Sequence, residues 1–185
     1  MEIEIGAEAK DKSLNQRVAI TVVVLSVFMG LAQVKDGNIV QAMQQAQSDA
    51  VDRWGEYQAT RTKLHIDETA LAQFNLLSGA ANPGAAAERA RLSAEIAKYT
   101  KEAPALRAQA EGFEAQYDAL NVHDDQFDAS DALISIAISI AAVAALTESS
   151  VALYAAWLFA LGGMVMGLAG FFGWALRSPL AQFLS

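Results

Sequence analysis

Five aspartates, Asp118, Asp124, Asp125, Asp128 and Asp131, are the most informative ionisable group in this chain of 185 residues. On a helix, Asp124, Asp128 and Asp131 share one face, because residues three and four apart are neighbours there. Carboxylates grouped in this way can attract a cation, and a ring of them contributed by several subunits makes an acidic pore mouth. They can also remain hydrated at the base of a widening helix pair and do no chemistry, which is the reading their spacing favours. A calcium loop does not fit: after Asp124 the sequence lacks both the Gly of the sharp turn and the closing Glu. The only imidazoles, His65 and His123, fall on opposite arms of the hairpin described below. At the rise of an α-helix their levels differ by roughly 30 Å, so they cannot share an ion within one protomer.

Other chemistry is missing from the sequence. The chain has no Cys, which removes disulfides, thiolate metal sites and thiol nucleophiles. It has no phosphate-binding Gly loop, no H-E-x-x-H and no G-x-S-x-G. The expectation is a non-enzymatic protein without cofactor, catalytic residue or metal site. A net charge of −8 argues against nucleic acid and against a polybasic arm on anionic lipid. Trp54, Tyr57 and Gln58 form a compact group that either fills a helical core or lines a pocket for a partner. The pocket reading requires Gln58 to point away from water.

These residues have to be placed by helices. Leu92, Ile96, Tyr99, Ala103, Leu106, Ala110, Phe113, Tyr117, Leu120 and Phe127 follow steps alternating between four and three. Asp124 is the one polar slot in the series. That is a seam of the coiled-coil type, apolar every 3.5 residues. An earlier heptad at Met43, Ala50, Tyr57, Leu64 and Leu71, flanked by Trp54 and Phe74, supplies a partner for it. Between the two, Ser78 to Gly84 reads as a helix stop and turn. Pro104 is expected to kink the return arm or split it in two, and Gly112 to weaken it.

The apolar excess, 54% of residues with a mean hydropathy of +0.23, lies at the two ends. Val18 to Val34 carries no charge and is long enough for a spanning helix. No small-x-small cleavage pattern follows it, so an uncleaved anchor is expected rather than a signal peptide. Ala132 to Leu146 is a second apolar run, closed by the polar turn Thr147 to Ser150. Val151 to Leu176 is a third, with aromatics at both ends, terminated by Arg177 and Pro179.

The run Trp54-Gly55-Glu56-Tyr57-Gln58-Ala59, followed by Lys63 and His65, resembles the W-x-x-Y-Q-A-x-x-x-K signature of the family catalogued as domain of unknown function 4337. His123, Phe127 and the paired apolar segments after an acidic approach are also similar to that family. The resemblance covers nearly the whole chain. It implies a bacterial membrane protein with a helical middle, and it transfers no activity, so Trp54, Tyr57, Gln58 and Lys63 stand as a core or partner motif.

Together these readings predict an all-α membrane protein of three transmembrane helices, with a long antiparallel coiled-coil-like hairpin between the first and second. Its parts are a polar tail (1–17), a first span (18–34), the hairpin (35–131, tip 79–84), two further spans (132–147 and 151–176) and a tail (177–185). Lys35 is expected to face Asp131 at the hairpin base and compensate its charge. Ala156, Ala160, Gly163, Gly167 and Gly170 put five small residues on one face of the third span, suited to close packing either between subunits or against the second span. Lys10, Lys12 and Arg17 place the tail in the cytoplasm and the hairpin in the periplasm, by the positive-inside rule. The expected partners are the lipid bilayer, further copies of the chain or a larger membrane complex. The expected role is a scaffold, tether or accessory subunit; a homo-oligomeric channel with an acidic entrance is the alternative.

Overall fold

A computed structural model of the chain describes residues 2–77, 83–174 and 176. It is all-helical: α1 spans Glu2–Leu77, α2 spans Pro83–Leu146 and α3 spans Ser150–Phe172, with the two long helices packed together. All three contain stretches long and apolar enough to cross a membrane, with mean hydropathies of 2.0, 2.0 and 1.9. Of the expected tip, Pro83 and Gly84 open α2, and residues 79–82 lie outside the described residues, as does the expected tail at 177–185. Proline suits a first helical turn, where its missing N–H would have had no partner.

Three boundaries differ from the sequence reading. Residues 2–17 are helical and continuous with the apolar run of α1, and Leu14 is buried among residues of α2 and α3. Pro104 does not split the return arm, because α2 is unbroken from Pro83 to Leu146. The third helix stops at Phe172, short of Leu176. Gly173 adopts a left-handed conformation there (φ 69°), and its N–H and that of Trp174 both donate to the carbonyl of Ala169. Glycine takes this conformation without a Cβ penalty, so the helix closes before Arg177 and Pro179 can act.

The chain divides into two compact units. The first comprises Met1–Ala42 and Ala119–Ser185. Its core is built in layers to which all three helices contribute: Leu14 and Val18 with Ala141, Ala144, Leu153 and Ala156, then Leu25 with Ile134, Ala137 and Ala160. The turn between α2 and α3 is tight. Ser149 N–H donates to the carbonyl of Ala144, Glu148 takes φ 51°, and the Ser149 hydroxyl caps α3 by accepting from Ala152 N–H at 3.3 Å.

The second unit is Met43–Asp118. Here the least exposed residues of both helices recur in alternating steps of four and three. Met43, Ala46, Ala50 and Leu64 are buried on α1, and Leu92, Ala103 and Ala110 on α2, while Ile96, Tyr99, Leu106, Phe113 and Tyr117 are half-buried. Two cross-helix hydrogen bonds fix an antiparallel register: Trp54 Nε1 donates to Glu114 Oε1 at 2.8 Å and Arg89 Nε to Asn75 Oδ1 at 2.8 Å. The midpoint of each pair falls within one residue of position 83. The outer faces carry ion pairs along each helix, among them Arg91 with Glu88 and Glu95, and Arg107 with Glu111.

Candidate functional site

The charged centre of the first unit is built by a seam meeting a seam. Stepping the heptad of α1 back by seven from Met43 gives Asp36, between the buried Ala32 and Ile39. Stepping the seam of α2 forward from Leu120 gives Asp124, Phe127 and Asp131. The polar slots of both helices therefore fall together, and carboxylates face carboxylates. Asp36, Asp128 and Asp131 line one cavity of about 230 Å³ with Met29, Ala32, Gln33, Phe127 and Ser130.

Burial pushes the Asp36 carboxyl up to about 6, helped by the nearby charges of Asp124, Asp128 and Asp131. Asp36 Oδ1 is buried and has no hydrogen-bond partner among the described residues. Asp128 is exposed on one side, yet its carboxyl is also raised, first by partial loss of water and then by Asp124, Asp125 and Asp131. Among the described residues no Lys or Arg forms an ion pair with these acids. Lys35 is exposed and does not pair with Asp131, whose Oδ1 accepts a long 3.4 Å bond from Gln33 Nε2. The reason is phase: one residue along a helix is a turn of about 100°, and it is Asp36 that the heptad directs to α2. No group of three or more acid or histidine side chains among the described residues converges as a metal-chelating set.

Below this cavity α3 packs close. An added Cβ at Gly163 would lie 2.7 Å from Ile134 Cγ1 and 3.0 Å from the carbonyl of Ser130. At Gly167 it would meet the Phe28 ring and Ser130 Oγ, and at Gly170 the Phe127 ring. Ala156, Ala160, Gly163, Gly167 and Gly170 are all buried within the chain, so this small-residue face is occupied by α1 and α2 of the same protomer. Ser130 is fully buried and its hydroxyl has no hydrogen-bond partner among the described residues.

Gln126 carried no signal in the sequence reading, yet it is 1% exposed. Its Nε2 donates to the carbonyls of Trp174 and Leu176, each at 2.7 Å, and its Oε1 lies 3.1 Å from His123 Nδ1. It ties the residues that follow α3 to α2. Its place directly before Phe127, on the flank of the seam, is the only hint of burial a sequence could give.

In the second unit, Trp54 and Tyr57 pack edge to face at 5.5 Å, half-buried against α2. Gln58 is exposed, so it lacks the inward orientation that a pocket reading required. Lys63 is exposed too, on a shallow groove with Glu56, Thr60, Glu102 and Gln109. His65 is exposed, and its backbone carbonyl accepts a hydrogen bond from the Thr69 hydroxyl. Thr60 is a buried polar residue of this seam.

Compared with known proteins, the chain matches one family, described as Domain of unknown function (DUF4337), over residues 14–173. No curated protein and no solved structure matches it.

Proposed function

Because the chain belongs to the family described as Domain of unknown function (DUF4337), we propose a function from the geometry: a membrane-anchored scaffold, tether or accessory subunit without enzymatic activity. In this reading residues 18–34, 132–147 and 151–172 cross the bilayer. Residues 35–131 form the coiled-coil-like hairpin outside it, presented to further copies or to another subunit. The observation that carries the reading is where the large apolar side chains lie. Ile20, Val23, Val24, Val27, Leu31 and Val34 form an exposed stripe on α1, and Val151, Leu158, Leu161 and Val165 are exposed on α3. Water would penalise that surface and a bilayer would not. The outer faces of the second unit carry paired charges instead. The few basic residues favour a bacterial inner membrane with residues 35–131 on the periplasmic side.

Since no native Cys is present, single cysteines report the topology. In sealed membranes an impermeant maleimide should label Gln58→Cys from the outer side and leave Val27→Cys unlabelled until detergent denatures the protein. Equal labelling of both would refute the anchor. Labelling of Gln58→Cys only after the membrane is breached would reverse the orientation. Affinity purification from native membranes should recover the chain in a defined complex. The acidic cavity gives the channel alternative its one support, and a cation current across a planar bilayer containing only this protein would favour that alternative over the tether.

A further inference from the structure

Beyond Phe172 the chain leaves the helix, and its backbone is paired inward while its side chains face outward. Trp174 N–H donates to the Ala169 carbonyl at 2.9 Å, and Leu176 N–H to the Trp174 carbonyl at 2.8 Å. The buried amide of Gln126 on α2 then donates to the carbonyls of both Trp174 and Leu176. The side chains of the same stretch are open: Phe172 is 68% exposed and Trp174 53%, and Leu176 is exposed too. The two rings stack on each other, with centroids 5.6 Å and planes 26° apart. Water would satisfy those carbonyls unaided and would penalise the rings. A lipid boundary accounts for both features, because non-helical backbone there must find its hydrogen bonds within the protein while apolar side chains face out.

Two further observations place the stretch at the edge of a bilayer rather than in its interior. Leu158, Leu161, Val165 and Phe172 follow steps of three, four and seven along α3, so Phe172 ends the exposed apolar stripe of that helix. At the same level α2 has left its apolar run: Gln126, which holds Trp174, is flanked by Asp124, Asp125 and the exposed Asp128. An indole, with an apolar body and one polar N–H edge, suits a layer that is apolar on one side and wet on the other. We propose that Phe172, Trp174 and Leu176 form a foot that lies in the headgroup layer of the bilayer, held there by Gln126. This rests on the reading that α3 crosses the bilayer. It adds that the left-handed turn at Gly173 ends the span at a built boundary, and that Gln126 sets the depths of α2 and α3 together.

The three tryptophans of the chain provide the test: Trp54 in the second unit, Trp157 within α3 and Trp174 in the foot. Single-tryptophan variants carry Phe at the other two positions. Each full chain is reconstituted in phosphatidylcholine vesicles brominated either near the headgroup end or near the methyl end of the acyl chains. Trp174 should be quenched more by the shallow bromines than by the deep ones, Trp157 by the deep ones, and Trp54 by neither. Gln126→Ala should move Trp174 emission to the red and weaken its shallow quenching, with Trp157 unchanged. If replacing Trp157 prevents folding, Trp174→Cys carrying a polarity-sensitive dye gives the same comparison in a chain with no other Cys. Quenching of neither Trp157 nor Trp174 would overturn the bilayer reading, and the foot with it. Quenching of Trp157 alone would overturn the foot and leave the span standing. Aqueous acrylamide then tells where the segment lies, in water if it quenches Trp174 and against another protein chain if it does not. Undiminished shallow quenching of Trp174 in a folded Gln126→Ala variant would overturn the role of Gln126.

Discussion

Asp36 on α1 and Asp131 on α2 line the same cavity, acid beside acid. Burial and the repulsion among these acids disfavour the charged form of Asp36, so the stability of the first unit is linked to pH. Asp36 is raised by burial and by its acidic neighbours from the ordinary 3.8 to about 6. The folded chain therefore binds this proton more tightly than the unfolded chain does. The resulting stabilisation is fully present below the unfolded value and is lost as pH rises through the folded one. The groups that face Asp36 from α2 are Asp124, Asp128 and Asp131, and Asp128 is shifted in the same direction.

The melting temperature of the wild-type chain should fall between about pH 4 and pH 7. Asp36→Asn, which keeps a hydrogen-bonding group and discards the titration, should flatten much of that slope. Circular dichroism melts of both proteins in one detergent check it. Parallel slopes would show that Asp36 does not carry the linkage.

Gln126 gives a second test. Its two 2.7 Å bonds to the carbonyls of Trp174 and Leu176 are made by a side chain that is 1% exposed. Gln126→Ala removes both bonds and leaves a void, and should cost about 1–3 kcal/mol. Hydrogen exchange should rise first at the end of α3, where Gly173 and Trp174 close the helix on Ala169. A melting temperature equal to wild type would mean that water replaces the amide without loss.

The regular parts of the structure were legible because they follow one period. The α2 seam from Leu92 to Phe127 contains no exposed residue, and the register that brings Trp54 to Glu114 follows from a turn near Pro83. The acid cluster is half legible: Asp124 and Asp131 are visible as polar slots, but opposite charge points to Lys35 as the partner of Asp131. The heptad through Met43 pointed to Asp36, and helical phase prevails over charge because a side chain cannot cross to the other side of its helix. The small face of α3 was legible as a packing surface. What covers it, Phe28 and Phe127 among others, depends on which helices meet, and that is not written in a local period.

The glycines separate these two kinds of information. An added methyl at Gly163 meets the Ser130 carbonyl and Ile134, backbone included, so Gly163→Ala should destabilise by about 1–3 kcal/mol through overpacking. At Gly55 and Gly112, exposed inside helices, an added methyl meets nothing within 4 Å. There Ala should stabilise by up to about 1 kcal/mol through helix propensity alone. Because the face is occupied within the protomer, Gly167→Leu should lower the melting temperature and the detergent yield, not release a clean monomer. Size-exclusion with light scattering distinguishes the outcomes, and a stable monomer would show that the face is shared between chains.

The unbroken path of α2 through Pro104 yields the last prediction. Proline has no N–H to donate to the Thr100 carbonyl four residues earlier, and its ring crowds that carbonyl. In a helix interior it is less favourable than Ala by about 3 kcal/mol. Pro104 is exposed, so replacing it removes little packing, while its neighbour Ala103 stays buried in the seam. Pro104→Ala should therefore raise the melting temperature, by an increment approaching about 3 kcal/mol if α2 gains a full hydrogen bond and loses the crowding. The gain should be smaller if a bend at this position sets the fit of Ala103 and Leu106 against α1. Hydrogen exchange locates the effect: protection should rise from Thr100 to Ala108 and stay unchanged in α3. A lower melting temperature would show that the proline shapes α2 to its partner, and that the seam depends on a bend rather than tolerating it.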